Sequence, residues 1–149
     1  MHRWSVLWKI VVTAMMLVGC AGGMGGGQDV NYANSTGNGN VILNWNCTKP
    51  QPNVLQVNGT FDNTTMAGLQ EVTIQIVGIG PSGAQVSSGQ GTTSQWIVTT
   101  MSRTPFQVTV NTTGTESKFN MLYSYRVGSG LSPAGVMQYS KENACPGLQ

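Results

Sequence analysis

The sequence is poor in charge. Only 8% of its 149 residues are Asp, Glu, Lys or Arg, against roughly 25% in an average soluble protein. Arg3 and Lys9 account for the formal net charge of +2, so the rest of the chain is neutral. A neutral chain lacks the basic surface that nucleic-acid binding requires. We therefore expect no nucleic-acid partner.

The sequence also lacks most side chains that enzymes use near neutral pH. Its single histidine is His2, which excludes Ser-His-Asp and Cys-His arrangements from the rest of the chain. No glycine-rich phosphate-binding motif with its lysine and following helix is present. We expect no enzymatic activity, no cofactor and no metal. A small hydrolase is the alternative, because a hairpin could bring the carboxylates of Asp62 and Glu71 together for acid–base work.

A third absence is an apolar run long enough to span a membrane, which takes about 20 residues. Residues 1–9 contain Arg3 and Lys9 and no acid, and residues 10–19 are uncharged and mainly apolar. A short basic segment, an apolar run and then small residues are typical of a secretory signal. We therefore predict a signal peptide at residues 1–19.

The end of that apolar run, Leu17-Val18-Gly19-Cys20, resembles the lipobox of bacterial lipoproteins. The family pattern is an aliphatic residue, two small or moderately small residues, and cysteine. The resemblance implies that the Cys20 thiol carries a diacylglycerol, that the leader is cleaved before Cys20, and that the protein contacts the membrane through this lipid. It implies a bacterial cell-envelope location, and Ala21 favours the outer membrane if the organism is Gram-negative. The alternative is an ordinary signal peptide whose cysteine is incidental.

Residues 20–39 are rich in glycine and asparagine and contain no long apolar run. We predict that they form the lipidated Cys20 and a flexible linker. A coil of this length has an end-to-end distance of roughly 25 Å, which lets a folded domain stand away from a membrane.

Cysteine is scarce as well. Of the three cysteines, Cys47 and Cys145 remain once Cys20 is assigned to the lipid. An exported chain enters a compartment where disulfides form, and an even number of cysteines favours pairing. We predict a Cys47–Cys145 disulfide that encloses most of the folded region. Two buried free thiols, or two metal ligands, are the alternatives.

No segment has the 3.6-residue period of a helix. Apolar and polar residues alternate instead in short segments, which is the strand pattern. The apolar faces that this alternation predicts contain Val41, Leu43, Trp45, Leu55, Val57, Phe61, Val72, Ile74, Ile76, Phe106, Val108, Val110, Phe119, Met121, Tyr123 and Tyr125. We predict an all-β antiparallel sandwich of about seven strands over residues 40–149. A small closed barrel is the main competitor.

Residues 55–125 resemble the FxLYD domains of bacterial lipoproteins and envelope proteins. The resemblance lies in the stretches VNGTFDN (57–63), LQEVTIQIVG (69–78), PSGAQV (81–86) and TPFQVTV (104–110). The glycine-rich turn that precedes Pro-Phe in the family is replaced here by MSRT. The resemblance implies an immunoglobulin-like fold and a non-catalytic accessory role, and the family offers no catalytic residues to transfer.

Aromatic residues, methionine and arginine are enriched at protein interfaces, and a few of them fall where a surface is expected. The predicted binding residues are Arg103 and Met101 in a turn, Arg126 on an outward strand face, and Trp96 in a short predicted strand, QWIVTT (95–100). The competing interpretation places both Trp45 and Trp96 in the core. We predict an envelope or cell-surface lipoprotein that binds a protein partner, as an assembly accessory or an adhesin. A carbohydrate-binding module is the alternative, and it requires two or more exposed, roughly coplanar aromatic side chains.

Overall fold

The computed structural model describes residues 30–128 and 135–148. The predicted signal peptide, Cys20 and the first part of the predicted linker lie outside the described residues. Within the described ranges, no helix has the length and apolar character needed to cross a bilayer. The strands are β1 (Asn34–Gly37), β2 (Val41–Gln51), β3 (Val54–Asn63), β4 (Leu69–Ile79), β5 (Gln85–Thr92), β6 (Ile97–Val98), β7 (Arg103–Asn111), β8 (Lys118–Val127) and β9 (Val136–Lys141).

The strands form two antiparallel sheets. The first has the order β1-β2-β3-β7, and the second has the order β5-β4-β8-β9, with β6 also paired to β4. The predicted all-β antiparallel sandwich is therefore confirmed. Within the described residues, seven strands have six or more residues, which matches the predicted number, while β1 has four and β6 has two.

The apolar faces predicted from the alternation form the core between the two sheets. In β7, exposed and buried residues alternate at every position, and Phe106, Val108 and Val110 point inward. The other predicted inward residues are buried in the same cluster. Burying one large apolar side chain contributes roughly 1.5–3 kcal/mol, so this alternation is a main source of the stability of the sandwich.

Glycines bring two sheet edges together on one side. β5 is an edge of the second sheet, β7 is an edge of the first, and Thr93 after β5 forms an isolated bridge with Phe106 of β7. A Cβ atom at Gly89 would overlap the carbonyl oxygen of Thr109, and Gly91 lies equally close to the β7 backbone. Residues without a side chain allow this close approach of two backbones.

The C-terminal tail belongs to the core. The predicted Cys47–Cys145 disulfide is present, with 5.7 Å between its Cα atoms. The indole Nε1–H of Trp45 donates to the carbonyl oxygen of Ala144 at 2.7 Å. The backbone N–H of Ala144 donates in turn to the carbonyl oxygen of Phe119 at 2.6 Å. The tail is thereby fixed to both sheets.

The structure corrects three details of the sequence interpretation. Strand β1, Asn34–Gly37, lies inside the predicted linker 20–39, because a polar edge strand depends on pairing with β2 and has no apolar alternation of its own. Trp96 precedes the two-residue strand β6 and does not lie in it. Arg103 is the first residue of β7, whereas the sequence analysis places it in a turn.

Candidate functional site

Three loops meet at one end of the sandwich. In the first sheet, Val41 at the start of β2 pairs with Asn63 at the end of β3. In the second sheet, Leu69 at the start of β4 pairs with Val98 of β6. The Asn63 side-chain amide donates to the Val98 carbonyl oxygen at 3.1 Å, which joins the two sheets at this end. We call the following residues the loop end: 38–40, 64–68 and 93–102.

Asn63 holds two of these loops in place. It is buried, and its Nδ2 lies 2.7 Å from the Ala67 carbonyl oxygen and 2.9 Å from that of Thr99. Its Oδ1 accepts from the backbone N–H and the hydroxyl of Thr65, at 2.9 and 2.8 Å. A buried polar group whose hydrogen bonds are satisfied rigidifies its surroundings. The loops therefore have a defined geometry without a partner.

Large apolar side chains are exposed on these ordered loops. The exposed fraction is 88% for Met66, 71% for Trp96, 70% for Met101 and 45% for Ile97. Single exposed apolar residues are ordinary, but several on one surface mark an interaction site. The loop end is therefore the candidate functional site.

Trp96 borders a cavity of about 360 Å³ at the edge of β4. β5 pairs with β4 from Thr73 onward, and β6 pairs with Leu69 and Gln70. Neither strand therefore pairs with Glu71 and Val72, which leaves a gap at this point of β4. The chain between β5 and β6 passes outside this gap. The residues that line the cavity are Glu71, Val72, Thr73, Thr92, Thr93, Gln95 and Trp96.

The backbone of β4 is irregular at this gap. Glu71 has a φ of +52°, in the left-handed region that residues other than glycine rarely adopt. The register of β4 on β8 shifts between Gln70 and Thr73. Glu71 forms an ion pair with Arg126 of β8, 3.0 Å between Oε2 and Nη2. Glu71 thus links two of the predicted binding residues, because it pairs with Arg126 and lines the cavity of Trp96.

Arg126 itself is partly enclosed. Its Nε atom is buried and has no hydrogen-bond partner among the described residues, whereas its Nη2 pairs with Glu71. A buried donor without a partner costs free energy.

Arg103 and Met101 line a second cavity, of about 350 Å³. Two parallel hydrogen bonds join Arg103 to Asp62, at 2.9 Å between Nε and Oδ1 and 2.8 Å between Nη2 and Oδ2. Met101 also has a positive φ, +49°. The four predicted binding residues therefore fall into two pairs, both at the same end of the sandwich.

The two carboxylates of the hydrolase alternative belong to different sheets and different ion pairs. Asp62 pairs with Arg103 and lines the cavity of Met101. Glu71 pairs with Arg126 and lines the cavity of Trp96. Across residues 30–128 and 135–148, no three His, Cys, Asp or Glu side chains cluster as metal ligands would.

The aromatic residues divide between core and surface. The interpretation that places both tryptophans in the core is right for Trp45, which is fully buried, and wrong for Trp96. Tyr139 of β9 stacks on Tyr123 and Tyr125, with ring centroids 5.3 and 6.0 Å apart. Burial raises the pKa of Tyr123 above its ordinary value. The described residues that line the Trp96 cavity include no second aromatic side chain.

The sequence analysis missed Asn63, Met66 and Ile97. The carbonyl groups that accept from Asn63 include those of Val98 and Thr99, which lie 35 and 36 positions further along the chain. No local pattern in the sequence therefore reveals the role of Asn63. Met66 does carry a signal, since it is a lone large apolar residue in the polar stretch DNTTMAG (62–68). Ile97 lies in a strand, as predicted, but its side chain is exposed.

The fold and this site define an antiparallel β-sandwich domain with an exposed apolar end. No family model matches the sequence, and no curated protein matches it. The solved structure of the GAE domain of GGA2p from Saccharomyces cerevisiae is similar, with a TM-score of 0.53 and 11% identity over 77% of this chain and 99% of that chain. At this identity the similarity shows the fold alone.

Two further solved structures have lower scores and carry no argument. The yeast GGA1 GAE domain has a TM-score of 0.48 and 10% identity, over 72% of this chain and 94% of that chain. A DUF4426 family protein from Pseudomonas aeruginosa PAO1 has a TM-score of 0.33 and 12% identity, over 73% of this chain and 94% of that chain.

Proposed function

We propose that this chain is a non-catalytic lipoprotein of the bacterial cell envelope whose loop end binds a protein partner. The observation that carries the proposal is the exposure of Met66, Trp96, Ile97 and Met101 on ordered loops. Burial of apolar surface is the main favourable term in most protein–protein association. Loops that are already ordered lose little conformational entropy on binding, and Asn63 provides that order.

The charges on the strands next to the loop end favour a partner recognised by shape and apolar contact. Arg103 lies beside Asp62, and Arg126 lies beside Glu71, so each cation is close to a carboxylate. Paired charges of this kind produce little long-range field to steer a charged ligand. Trp and Arg are the residue types that most often dominate protein interfaces. Trp96 is therefore the proposed anchor residue, and the cavity beside it is the proposed place for one side chain of the partner.

A carbohydrate partner is less well supported by the geometry. The sequence alternative requires two or more exposed, coplanar aromatic side chains, and Trp45 is buried. Methionine side chains at the loop end add apolar, adaptable surface. That chemistry suits a protein surface better than the hydroxyl groups of a sugar.

Strand β1 enters the first sheet from the end of the sandwich opposite the loop end. β1 is antiparallel to β2, with Asn34 opposite Trp45 and Gly37 opposite Ile42. β1 therefore runs toward the loop end, and residues 31–33 precede it beside Asn46, on the side away from the loop end. A lipid on Cys20 would hold the protein through that segment.

The anchor is tested by Cys20→Ser in the native cell. We expect the variant to leave the membrane fraction or to accumulate unprocessed, since two or three acyl chains together give stable membrane attachment. Ala21→Asp tests the proposed outer-membrane location. Because Ala21 after the lipidated cysteine favours the outer membrane, this variant should be lost from the outer-membrane fraction. Unchanged cleavage and membrane attachment in Cys20→Ser would refute the lipid anchor and leave the binding proposal standing.

The binding surface is tested with Trp96→Ala and Met101→Ala, with Ile42→Ala as the control for loss of an exposed apolar side chain on an outward strand face. A partner recovered from native membranes is titrated against each purified variant. Loss of an anchor residue costs more than about 1 kcal/mol, or roughly fivefold in Kd. Equal weakening by Ile42→Ala, or no weakening by Trp96→Ala, would contradict the proposal.

A further inference from the structure

The four sheet edges of the sandwich are not equivalent. β5 and β7 face each other, with Gly89 of β5 against the backbone of Thr109 in β7. β1 is a polar strand of four residues that covers part of β2. The fourth edge is β9, and among the described residues no strand pairs with its outer side.

β9 has the features of an edge that accepts another strand. Its six residues pair with β8 without a register shift. Val136 is 61% exposed and Met137 is 40% exposed. The strand contains no proline, and its single charge is at its last residue, Lys141. Natural proteins usually protect a regular apolar edge with charge, proline or a bulge, and residues 136–140 have none of these.

We infer that β9 pairs with β9 of a second copy of this chain, antiparallel and centred on Gln138, so that one sheet continues across a two-fold axis. In an antiparallel pair of strands, residues directly opposite each other have their side chains on the same face of the sheet. This register places Met137 opposite the partner's Tyr139 on the inner face and Val136 opposite the partner's Ser140 on the outer face. Gln138 meets its own symmetry equivalent.

The composition of β9 favours a second copy over a different strand. Residues 136–140 are uncharged, so self-pairing places no like charges opposite one another. Lys141 falls opposite the partner's Gly135, away from the partner's Lys141. Met137 contacts an aromatic ring in this arrangement, and pairs of that kind stabilise neighbouring strands. The stack of Tyr139 on Tyr123 and Tyr125 would extend by one methionine from the second copy.

Two edge strands bury little surface, so the association is weak in solution. The expected state is a monomer–dimer equilibrium that depends on concentration. Confinement on a membrane would raise the local concentration and favour the dimer. β9 lies outside the loop end, and its self-pairing does not depend on the proposed function, whereas the membrane confinement rests on the proposed lipid anchor.

The test uses the full chain carrying Cys20→Ser, so that lipid does not contribute to association, and sedimentation equilibrium over a range of concentrations. Gln138→Lys places two lysines opposite each other, and Gln138→Glu places two glutamates there. We expect each variant alone to dimerise roughly fivefold or more weakly than the parent chain. An equimolar mixture of the two should recover dimerisation, because unlike charges then face each other.

The matched control is Gln107→Lys, which adds the same charge to an exposed position of the edge strand β7. It should leave the dimerisation constant unchanged. A parent chain that stays monomeric at every concentration would overturn the inference. Equal loss in Gln107→Lys, or no recovery when Gln138→Lys and Gln138→Glu are mixed, would overturn the proposed register and two-fold pairing.

Discussion

The indole Nε1–H of Trp45 donates to the carbonyl oxygen of Ala144, 99 residues further along the chain, in a buried hydrogen bond of 2.7 Å. The disulfide lies beside this contact, since Cys47 follows Trp45 by two positions and Cys145 is the neighbour of Ala144. A covalent bond and a hydrogen bond therefore fix the same point of the C-terminal tail to β2.

Both links should be measurable in the free energy of unfolding. Replacing Cys47 and Cys145 by alanine should lower it by about 2–5 kcal/mol, because the cross-link restricts the unfolded chain. Trp45→Phe should lower it by about 1–3 kcal/mol, because the buried Ala144 carbonyl loses its partner. Urea unfolding monitored by circular dichroism measures both values. An unfolding midpoint that does not move when the disulfide is removed would contradict this role.

Asn63 should control the order of the loop end. Asn63→Ala removes the side-chain hydrogen bonds to the 64–68 and 98–102 segments, and we expect a loss of about 1–3 kcal/mol of stability. Hydrogen exchange should become faster in those two segments first. Asn58→Ala, on the same strand and half-buried, is the control and should leave their exchange unchanged. Slow exchange of Thr65 in Asn63→Ala would show that another contact orders the loop.

The close approach of β5 and β7 should depend on glycine. Gly89→Ala puts a methyl group against the Thr109 carbonyl oxygen, and overpacking of this kind costs about 1–3 kcal/mol. Gly135→Ala is the control, because its Cβ would meet no atom within 4 Å. The thermal unfolding midpoint of Gly89→Ala should fall well below that of the control. Equal midpoints would mean that β5 is free to move away from β7.

Glu116 should make stability depend on acid pH. Burial raises the pKa of Glu116, but hydrogen bonding to the Thr113 backbone, the Ser87 side chain, the Glu116 backbone and the Thr113 hydroxyl together outweighs burial, and the pKa falls from 4.5 to about 2. The folded protein therefore binds this proton less readily than the unfolded chain. Its stabilising contribution is complete above pH 4.5 and disappears as the pH falls toward 2.

Thermal unfolding of Glu116→Gln against the parent chain checks this effect. The parent chain should be the more stable protein at about pH 6, and the difference should shrink between pH 4.5 and about pH 2. A difference that stays constant over this range would show that ionisation of Glu116 does not matter.

The predictable part of the fold is the part set by alternation. In β2 from Val41 to Trp45 and in β7 from Phe106 to Val110, every second side chain is apolar, and each of these faces is buried as expected. Successive side chains of a strand point to opposite faces of the sheet. The face that carries the apolar residues is therefore the inner face, and residue type alone decides how the strand is oriented. The disulfide was predictable for a similar reason, because Cys47 and Cys145 are the cysteines left once Cys20 is assigned to a lipid.

The site was harder to predict because it depends on contacts between distant segments. The partner of Arg103 is Asp62, 41 residues away, and the partner of Arg126 is Glu71 on the neighbouring strand. Trp96 is exposed and precedes the two-residue strand β6, so the alternation around it does not decide its orientation. Strand β1 was missed because its residues, NSTG, show no alternation. The lipid on Cys20 and the FxLYD resemblance remain predictions.

Site-specific photocrosslinking in the cell that makes the protein shows whether the loop end binds a protein partner. A photoreactive amino acid replaces Trp96 or Met101 in separate variants. A third variant carries it at Ser82, an exposed position in the turn after β4, at the opposite end of the sandwich. We expect one discrete protein adduct from positions 96 and 101 and none from position 82. Equal adducts from position 82, or none from the two loop-end positions, would contradict it.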